Sequence, residues 1–519
     1  MIVRIPLRAV AFAVLPVALG LAFALVTPLR VATGASSPAR RPNIIFILAD
    51  DLGYGELGCY GQKKIRTPNL DRMAAEGIRF TQAYSGAPVC APSRCVLLTG
   101  LHTGHAAIRD NRAVQPEGQE PLPDETLTLA ELLKEVGYAT GAVGKWGLGP
   151  PASSGDPLRQ GFDFFFGFNC QSHAHNHYPS YLWRNATRIM LNNPEFRAHQ
   201  TLPAGADPND PASYRQYVGR DYAPDRFLEE ALGFIRTNKD RPFFLYFATT
   251  VPHLAIQVPE DSLAEYRGRW PDPPYVGDNG YLPHPCPRAG YAAMVTRMDR
   301  DVGRILALLK ELGLEEQTLV MFSSDNGPTY NRLGGSDSEF FASAGPFRGL
   351  KGSVYEGGIR VPFVARWPGT IRPGRTSDLP IAFYDLLPTL VQLTGAKAPP
   401  KTDGISFLPT LLDQGQQKPH EFLLWEFYGY GGQQAVRWGP WKGIRLNCHK
   451  DPNGPIRLYN LREDPAEQHD VADQYPEVVR TIATLMVREH TDSPIWQFRA
   501  PTQARPKVKA SPKKKVPTL

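Results

Sequence analysis

Short, almost wholly apolar runs alternate along this chain with longer amphipathic stretches. Asn43–Leu48 is a nearly continuous apolar run with β-branched residues, the pattern of a strand buried on both faces of a parallel sheet. Phe243–Ala248 and Leu319–Ser323 repeat it, and Ala139–Val143 reads as a further strand. Helical signals lie between them. Thr67 followed by Pro68 reads as an N-cap and first helical position, with Gly77 closing the helix. Leu127–Val136 predicts a second helix and Tyr291–Leu312 a long amphipathic one. Strands alternating with helices predict a doubly wound α/β core. From about Pro399 the character changes. Trp425–Gly432 is aromatic and glycine-rich, Ala435–Arg445 reads as a hairpin and Leu458–Leu461 as a short strand before the turn Glu463-Asp464-Pro465. A helix from Pro476 to Glu489 then closes a smaller α+β subdomain over Phe422–His490.

The residues that end the apolar strands are polar. Asp50-Asp51, Gly144-Lys145, His253 and Asp325-Asn326 all stand at predicted carboxyl ends. Asp and Asn are ordinary turn residues, so one such ending means little. Open α/β sheets bind ligands beyond the carboxyl ends of their strands, and four polar endings on one sheet predict a shared site there.

Composition narrows the class. A length of 519 residues exceeds one ordinary core and predicts two structural units. With 42% hydrophobic and 21% charged residues the chain is neither wholly disordered nor a multi-span membrane protein. Its 50 prolines, against 47 glycines, predict long stiffened loops instead of a helical bundle. The net charge of +6 sits in the ends. Residues 1–35 carry Arg4, Arg8 and Arg30 without an acid, and residues 493–519 are basic with Lys507, Lys509 and Lys513 to Lys515. The body between them is net acidic, so a nucleic-acid-gripping face is not expected.

Residues 1–35 read as an export signal: Arg4 and Arg8, an apolar run from Ala9 to Val26, then small residues with Thr33-Gly34-Ala35 as a cleavage site. An uncleaved anchor, and with it a membrane association, is the alternative; in both cases the body lies outside the cytoplasm, periplasmic or secreted. Residues 36–41 read as a linker and 493–519 as a basic disordered tail. The six cysteines are too few for a disulfide scaffold of this size, though one or two bridges would fit an exported protein.

The most informative segment is Cys90-Ala91-Pro92-Ser93-Arg94-Cys95-Val96-Leu97-Leu98-Thr99-Gly100. From its residues it is a loop entering a helix, with Ser93 as the cap and Val96–Leu98 buried. A cysteine beside a helix N-terminus and an arginine is expected to have its thiolate favoured. Cys-x-Pro-Ser-Arg followed by Leu-Thr-Gly resembles the signature of the type I, formylglycine-dependent sulfatases, the arylsulfatases and N-acetylgalactosamine-6-sulfatases among them. The resemblance runs from about Pro42 to His490. It includes Pro42–Gly61, Thr67–Tyr84, Gly137–Gly149, Met321–Gly327 and Lys351–Pro362.

The resemblance implies an alkaline-phosphatase-like α/β catalytic domain over 42–400, its core sheet sandwiched by helices, and a C-terminal α+β subdomain over 401–492. It implies that a maturation enzyme, reading the motif in the unfolded chain, oxidises Cys90 to formylglycine. It also implies one Ca²⁺ on Asp50, Asp51, Asp325 and Asn326, with residue 90 completing the shell, and an oxygen-only donor set suits a hard cation. Arg94, Lys145 and Lys351 match family residues that contact formylglycine or sulfate. His253 matches a sulfate-side histidine suited to hydrogen bonding or to protonating the leaving oxygen. One position departs from the family. Where it commonly has Gly-Lys-Trp-His-Leu-Gly, with the histidine on a formylglycine hydroxyl, this chain has Gly147. His175 or His173, in the cluster His173-Ala174-His175-Asn176-His177, is expected to substitute, and lining the substrate pocket is that cluster's other reading. The function implied is sulfuric ester hydrolysis on a sulfated small molecule or glycan. A phosphate or phosphonate ester hydrolase on the same scaffold and a non-catalytic binder of sulfated glycans are the rival expectations.

Overall fold

The apolar runs form neighbouring strands in the centre of one sheet, which is why they lack polar alternation. The computed structural model describes residues 41–498. Its main sheet contains β1 (Asn43–Ala49), β2 (Ile78–Tyr84), β3 (Ala139–Lys145), β4 (Phe164–Phe168), β5 (Tyr181–Arg184), β6 (Thr187–Met190), β7 (Phe243–Ala248), β8 (Thr318–Ser324), β9 (Arg360–Arg366), β10 (Arg375–Ser377) and β11 (Ile381–Ala382). The order across it is β10-β2-β9-β8-β1-β7-β3-β4-β5-β6, with β11 on β2. The run β8-β1-β7-β3-β4 is parallel throughout, with Ile45 opposite Leu245 on one side and Val320 on the other. Their carboxyl ends therefore open on one edge.

Successive residues of β1 serve opposite cores. Ile44, Phe46 and Leu48 pack with Cys95, Leu97 and Leu98 of helix Cys90–Thr99 and with Leu129–Leu133. Ile45, Ile47 and Ala49 pack on the other face with Phe227 and Ala231 of helix Ala223–Asn238 and with Val295 and Val302 of the long helix Pro287–Glu311. Both faces are thus covered by helices, as a parallel sheet requires. The predicted helices stand close to their expected places. One capping detail differs: Thr67 Oγ1 accepts from the Gly58 amide and donates to Asp71, so it makes no side-chain cap on the helix Pro68–Ala75.

The C-terminal sequence folds as a four-stranded antiparallel sheet, β12 (Phe422–Phe427), β13 (Gln433–Trp438), β14 (Trp441–Leu446) and β15 (Ile456–Asn460). Helix Pro476–Arg488 lays Val478, Ile482, Leu485 and Met486 against Leu424, Val436, Ile456 and Leu458. Fully buried Lys442 ties this sheet to the main sheet, its ammonium 2.8 Å from Glu356 and 3.0 Å from Glu467. Burial raises Glu356, but Lys442, Arg360 and Arg437 hold it at about 2. Burial and the Glu356 charge push Glu467 up to about 7. Removing the one shared cation strands a buried carboxylate pair. Lys442→Met is therefore expected to lose about 3–5 kcal/mol of stability, read as a lower urea midpoint; an unchanged midpoint would show that the apolar contacts alone hold the two sheets together.

A second prediction concerns acid. His284 is buried, its Nδ1 accepting from the Cys286 amide, and burial pushes it from the usual 6.5 to about 4. The unfolded chain takes up this proton below pH 6.5 and the folded chain only near pH 4, so the His284 contribution is lost as pH falls through that window. It reaches at most about 3 kcal/mol. Between pH 7 and 4.5, His284→Gln should lose less stability than the parent chain in urea titrations; equal losses would contradict the assignment.

Three expectations need comment. Ser493–Phe498, placed in a disordered tail by composition, pack on the fold: Trp496 Nε1 donates to the Ala107 carbonyl and the Phe498 ring stacks on Tyr428 at 4.2 Å. Two aromatic side chains outweighed the surrounding basic and proline residues. All six cysteines are free thiols. The export segment 1–35 and the tail beyond Phe498 lie outside the described residues, and among those residues no helix is long and apolar enough to cross a membrane.

Candidate active site

At the open edge of the parallel strands the polar endings converge. Asp50 and Asp51 directly follow β1, Lys145 ends β3, and Asp325-Asn326 follow β8. His253 stands five residues past β7. Asp51 takes the left-handed conformation (φ 66°), one that Asp tolerates better than most residues. Its amide donates to Asp325 Oδ1 at 3.1 Å, coupling the ends of two neighbouring strands.

Cys90 is the first residue of helix Cys90–Thr99, which Val89 precedes as N-cap. Ser93, expected as the cap, instead lies within the first turn and accepts from the Gly86 amide. Lys145 Nζ and Lys351 Nζ each lie 3.5 Å from Cys90 Sγ, and Asp50 Oδ1 lies 3.6 Å from it. Each lysine also holds a carboxylate. Lys145 is 2.6 Å from Asp50 Oδ2, and Lys351 is 2.8 Å from both oxygens of Asp51. Arg94, fully buried, bonds Asp325 Oδ2 through Nε (3.1 Å) and Nη2 (2.7 Å), stands 3.6 Å from Asp50, and donates to the Lys145 carbonyl. It is a positioning residue for the carboxylates. Asn111, which the motifs did not single out, receives the Ala91 amide on Oδ1 at 3.0 Å and so satisfies one of the helix's free donors.

The expected favoured thiolate at Cys90 is not found. Burial pushes the thiol up to about 12 against the pull of Lys145 and Lys351, and Asp50 and Asp325 add to the rise. Arginine and helix terminus are both present, but desolvation and the nearby carboxylates prevail. An unmodified thiol here is a poor nucleophile.

The carboxylates call for more positive charge than the three cations supply. Burial would raise Asp50, but Lys145, with Arg94 and Lys351, holds it far below the usual carboxylate range. Burial and the Asp50 charge push Asp325 up to about 7 despite Arg94, and burial raises Asp51 despite Lys351. Asn326 Oδ1 is buried with no hydrogen-bond partner, while its Nδ2 donates to Asp51 Oδ1 at 2.8 Å. Oxygen donors of this kind, with an orphaned carbonyl among them, fit a hard divalent cation. Ligand atoms of Asp50, Asp51, Cys90 and His253 all lie within 4.8 Å of one another.

His253 Nε2 stands 3.7 Å from Asp51 Oδ2, and its Nδ1 faces the Leu254 carbonyl. Burial, then Lys351 and Lys145, push this imidazole well below its usual value, so it is neutral. With Nδ1 donating to the carbonyl, Nε2 presents a lone pair to the site. The clustered histidines have three separate fates. His173 lies 3.7 Å from Glu117 and packs on Phe168 and Tyr181, away from the position expected of it. His175 stacks on His253 with ring centroids 5.1 Å apart, and Tyr281 and His199 close around it. His177 Nε2 donates to the His253 carbonyl and Nδ1 accepts from Thr250, bracing the His253 loop from beneath. Next to Lys351, Tyr330 and Tyr430 share a hydrogen bond, and a Cβ on Gly352 would meet the Tyr430 ring and the Tyr330 hydroxyl. Tyr281, His199 and Tyr430 left no sequence signal, because they reach the site from separate loops.

The family profile described as Sulfatase matches residues 42–396, and one described as N-sulphoglucosamine sulphohydrolase, C-terminal, matches residues 350–492. Human arylsulfatase A is 35% identical over 478 residues, covering 86% of this chain and 88% of that protein. Rat N-acetylgalactosamine-6-sulfatase is 36% identical over 508 residues, covering 89% and 87%. The crystal structure of Ps i-CgsB superposes with a TM-score of 0.71 at 28% identity, covering 89% of this chain and 95% of that one.

Proposed function

The chain belongs to the sulfatase family and is an enzyme that hydrolyses sulfate esters; on that premise we propose that it does so through formylglycine at position 90 and one Ca²⁺, on a sulfated carbohydrate or aryl sulfate. The observation that carries this reading is the placing of Lys145 and Lys351 at 3.5 Å from the residue-90 side chain, each also bound to an aspartate that can hold the cation. When present, the hydrated aldehyde supplies one hydroxyl for attack at sulfur and a second for release of sulfate, and the cation supplies fixed charge for the sulfate oxygens.

The chain's own residues do the rest. Asp50, Asp51, Asp325 and Asn326 would hold the cation, and Arg94 keeps Asp325 and Asp50 in place. Lys145 and Lys351 bracket the reacting position and offset the charge of the bound ester, in a buried site where such charges act strongly. Asp50 Oδ1 is the acceptor for a hydrogen on residue 90. His253 Nε2 lacks a proton in the free site. The anionic ester favours its protonation, and it then donates to the departing alcohol oxygen.

Two ring pairs, Tyr281 with His199 and Tyr330 with Tyr430, offer faces that suit a sugar, and the names of the relatives support sulfated saccharides or aryl sulfates. The maturation enzyme is the partner that this chemistry demands. Export, supported by the charge and hydropathy of residues 1–35, places the enzyme in the periplasm or outside the cell. Family membership weighs against the non-catalytic binder expected as a rival.

The test is the mass of the Cys90 tryptic peptide from the native host, with initial rates on 4-nitrophenyl sulfate and 4-nitrophenyl phosphate. A loss of about 18 Da and a preference for the sulfate are expected. Unmodified cysteine throughout an active preparation would overturn the nucleophile, and a phosphate preference would move the reading to the phosphoester rival.

A further inference from the structure

We infer that Gln171 is a hydrogen-bond donor to the reacting centre, its side-chain amide serving an oxygen of the bound sulfate group or of residue 90. The inference rests on the function proposed above and names a residue that no motif points to.

Three observations meet at this side chain. Gln171 is 5% exposed, and its Nε2 has no hydrogen-bond partner among the described residues. A buried amide N–H without a partner is costly, and such groups in a folded protein mark a place where a ligand or water completes the bonding. Next, the amide lies over Gly147. A Cβ built on Gly147 would stand 2.6 Å from Gln171 Nε2 and 3.1 Å from its Cγ. Gly147 also has φ 81°, so glycine both permits the backbone and vacates the space that the glutamine head fills. The space that a side chain at 147 would take is thus filled by one from the segment that follows the neighbouring strand.

The third observation is topological. Gly147 follows two residues after Lys145, whose ammonium is 3.5 Å from Cys90 Sγ and whose carbonyl accepts from Arg94. Gln171 follows three residues after β4, which pairs in parallel with β3, Lys145 opposite Phe168. The Trp146 amide still donates to the Phe168 carbonyl at 2.9 Å, so the two chains leave the sheet side by side. Trp146 itself turns into the core, its indole N–H on the Gly155 carbonyl. The Gln171 carbonyl then accepts from Ala174 and starts the turn that sets His175 against His253. Gln171 therefore stands between the strand end that carries Lys145 and the turn that carries His175. An amide suits this position: it donates at every working pH and brings no charge of its own.

The deciding experiment compares the parent protein with Gln171→Met, which keeps the length of the side chain and removes the N–H. Turnover of a sulfate ester, calorimetric affinity for inorganic sulfate in Ca²⁺, and Tm are read together. We expect kcat/KM to fall on the order of 100-fold, with Tm within about 2 °C of the parent because no bond within the protein is lost. If the partner is a sulfate oxygen, the sulfate Kd rises about tenfold. If it is the oxygen on residue 90, the loss is in kcat and the sulfate Kd is unchanged. A kcat/KM and a sulfate Kd both within twofold of the parent overturn the inference, as does a drop in Tm with undiminished kcat. Should Gln171→Met fold poorly, Gln171→Ala is read by the same criteria. Parent protein that carries the aldehyde yet leaves sulfate esters intact would defeat the proposed function instead, and the sulfate affinities would still decide the role of Gln171.

Discussion

Cys90→Ser protein, once its peptide mass confirms an unaltered serine, is expected to release about one equivalent of alcohol per chain and then stop. The substitution changes one buried atom at the first residue of a helix and keeps a hydrogen for Asp50 Oδ1. Lys145 and Lys351 remain to hold the ester. A serine hydroxyl can attack sulfur as the alcohol departs, yet the carbon bears no second hydroxyl, so no internal route expels sulfate. The peptide should then gain about 80 Da, the mass of a retained SO₃ group. Steady-state turnover should fall at least about 10⁴-fold, as it does when a nucleophile is removed from an otherwise intact site. Cys90→Ala should fold as well and show no burst. Serine protein that turns over at more than a few per cent of the parent rate would exclude the two-hydroxyl chemistry.

Loss of the cation should be nearly as severe. Asp51→Asn keeps the shape of the side chain and removes a charge that Lys351 grips through both oxygens and that the cation would share. We expect Ca²⁺ content, read by elemental analysis, to fall below stoichiometric and kcat/KM to drop at least about 10³-fold. Dialysis of the parent against chelator should abolish turnover, and Ca²⁺ should restore it. The direction follows from the electrostatics: burial raises Asp325 and Asp51 against the pull of Arg94 and Lys351, so added positive charge beside them favours both carboxylates. Full activity in stripped protein would show that Lys145, Lys351 and Arg94 suffice without it.

Much of this site was legible along the chain, for a definite reason. A strand buried on both faces must be apolar, so the first polar residue after it marks the sheet edge; Asp50, Lys145 and Asp325 were readable in that way. Cys90-Ala91-Pro92-Ser93-Arg94 was readable because chemistry and helix start share five consecutive residues, even though Ser93 does not cap and the thiol is not activated. His173 and His175 show where such reading stops. Both stand in one short polar cluster, and only the packed positions of Glu117 and His253 decide that one turns away and the other stacks over the site.

The central apolar strands, the edge on which they open, the family and the carboxylate–lysine–cysteine set could be read from the chain, because each depends on residues close together in it or on the burial of whole segments. The remainder came from packing. It paired Lys145 with Asp50 and Lys351 with Asp51, raised the Cys90 thiol by desolvation, and drew Trp496 and Phe498 out of a basic tail onto Ala107 and Tyr428. It also brought Gln171 over Gly147, 24 positions away, through the pairing of two parallel strands. Contacts of that kind depend on register and on the local dielectric, and both arise only when the chain has closed around them.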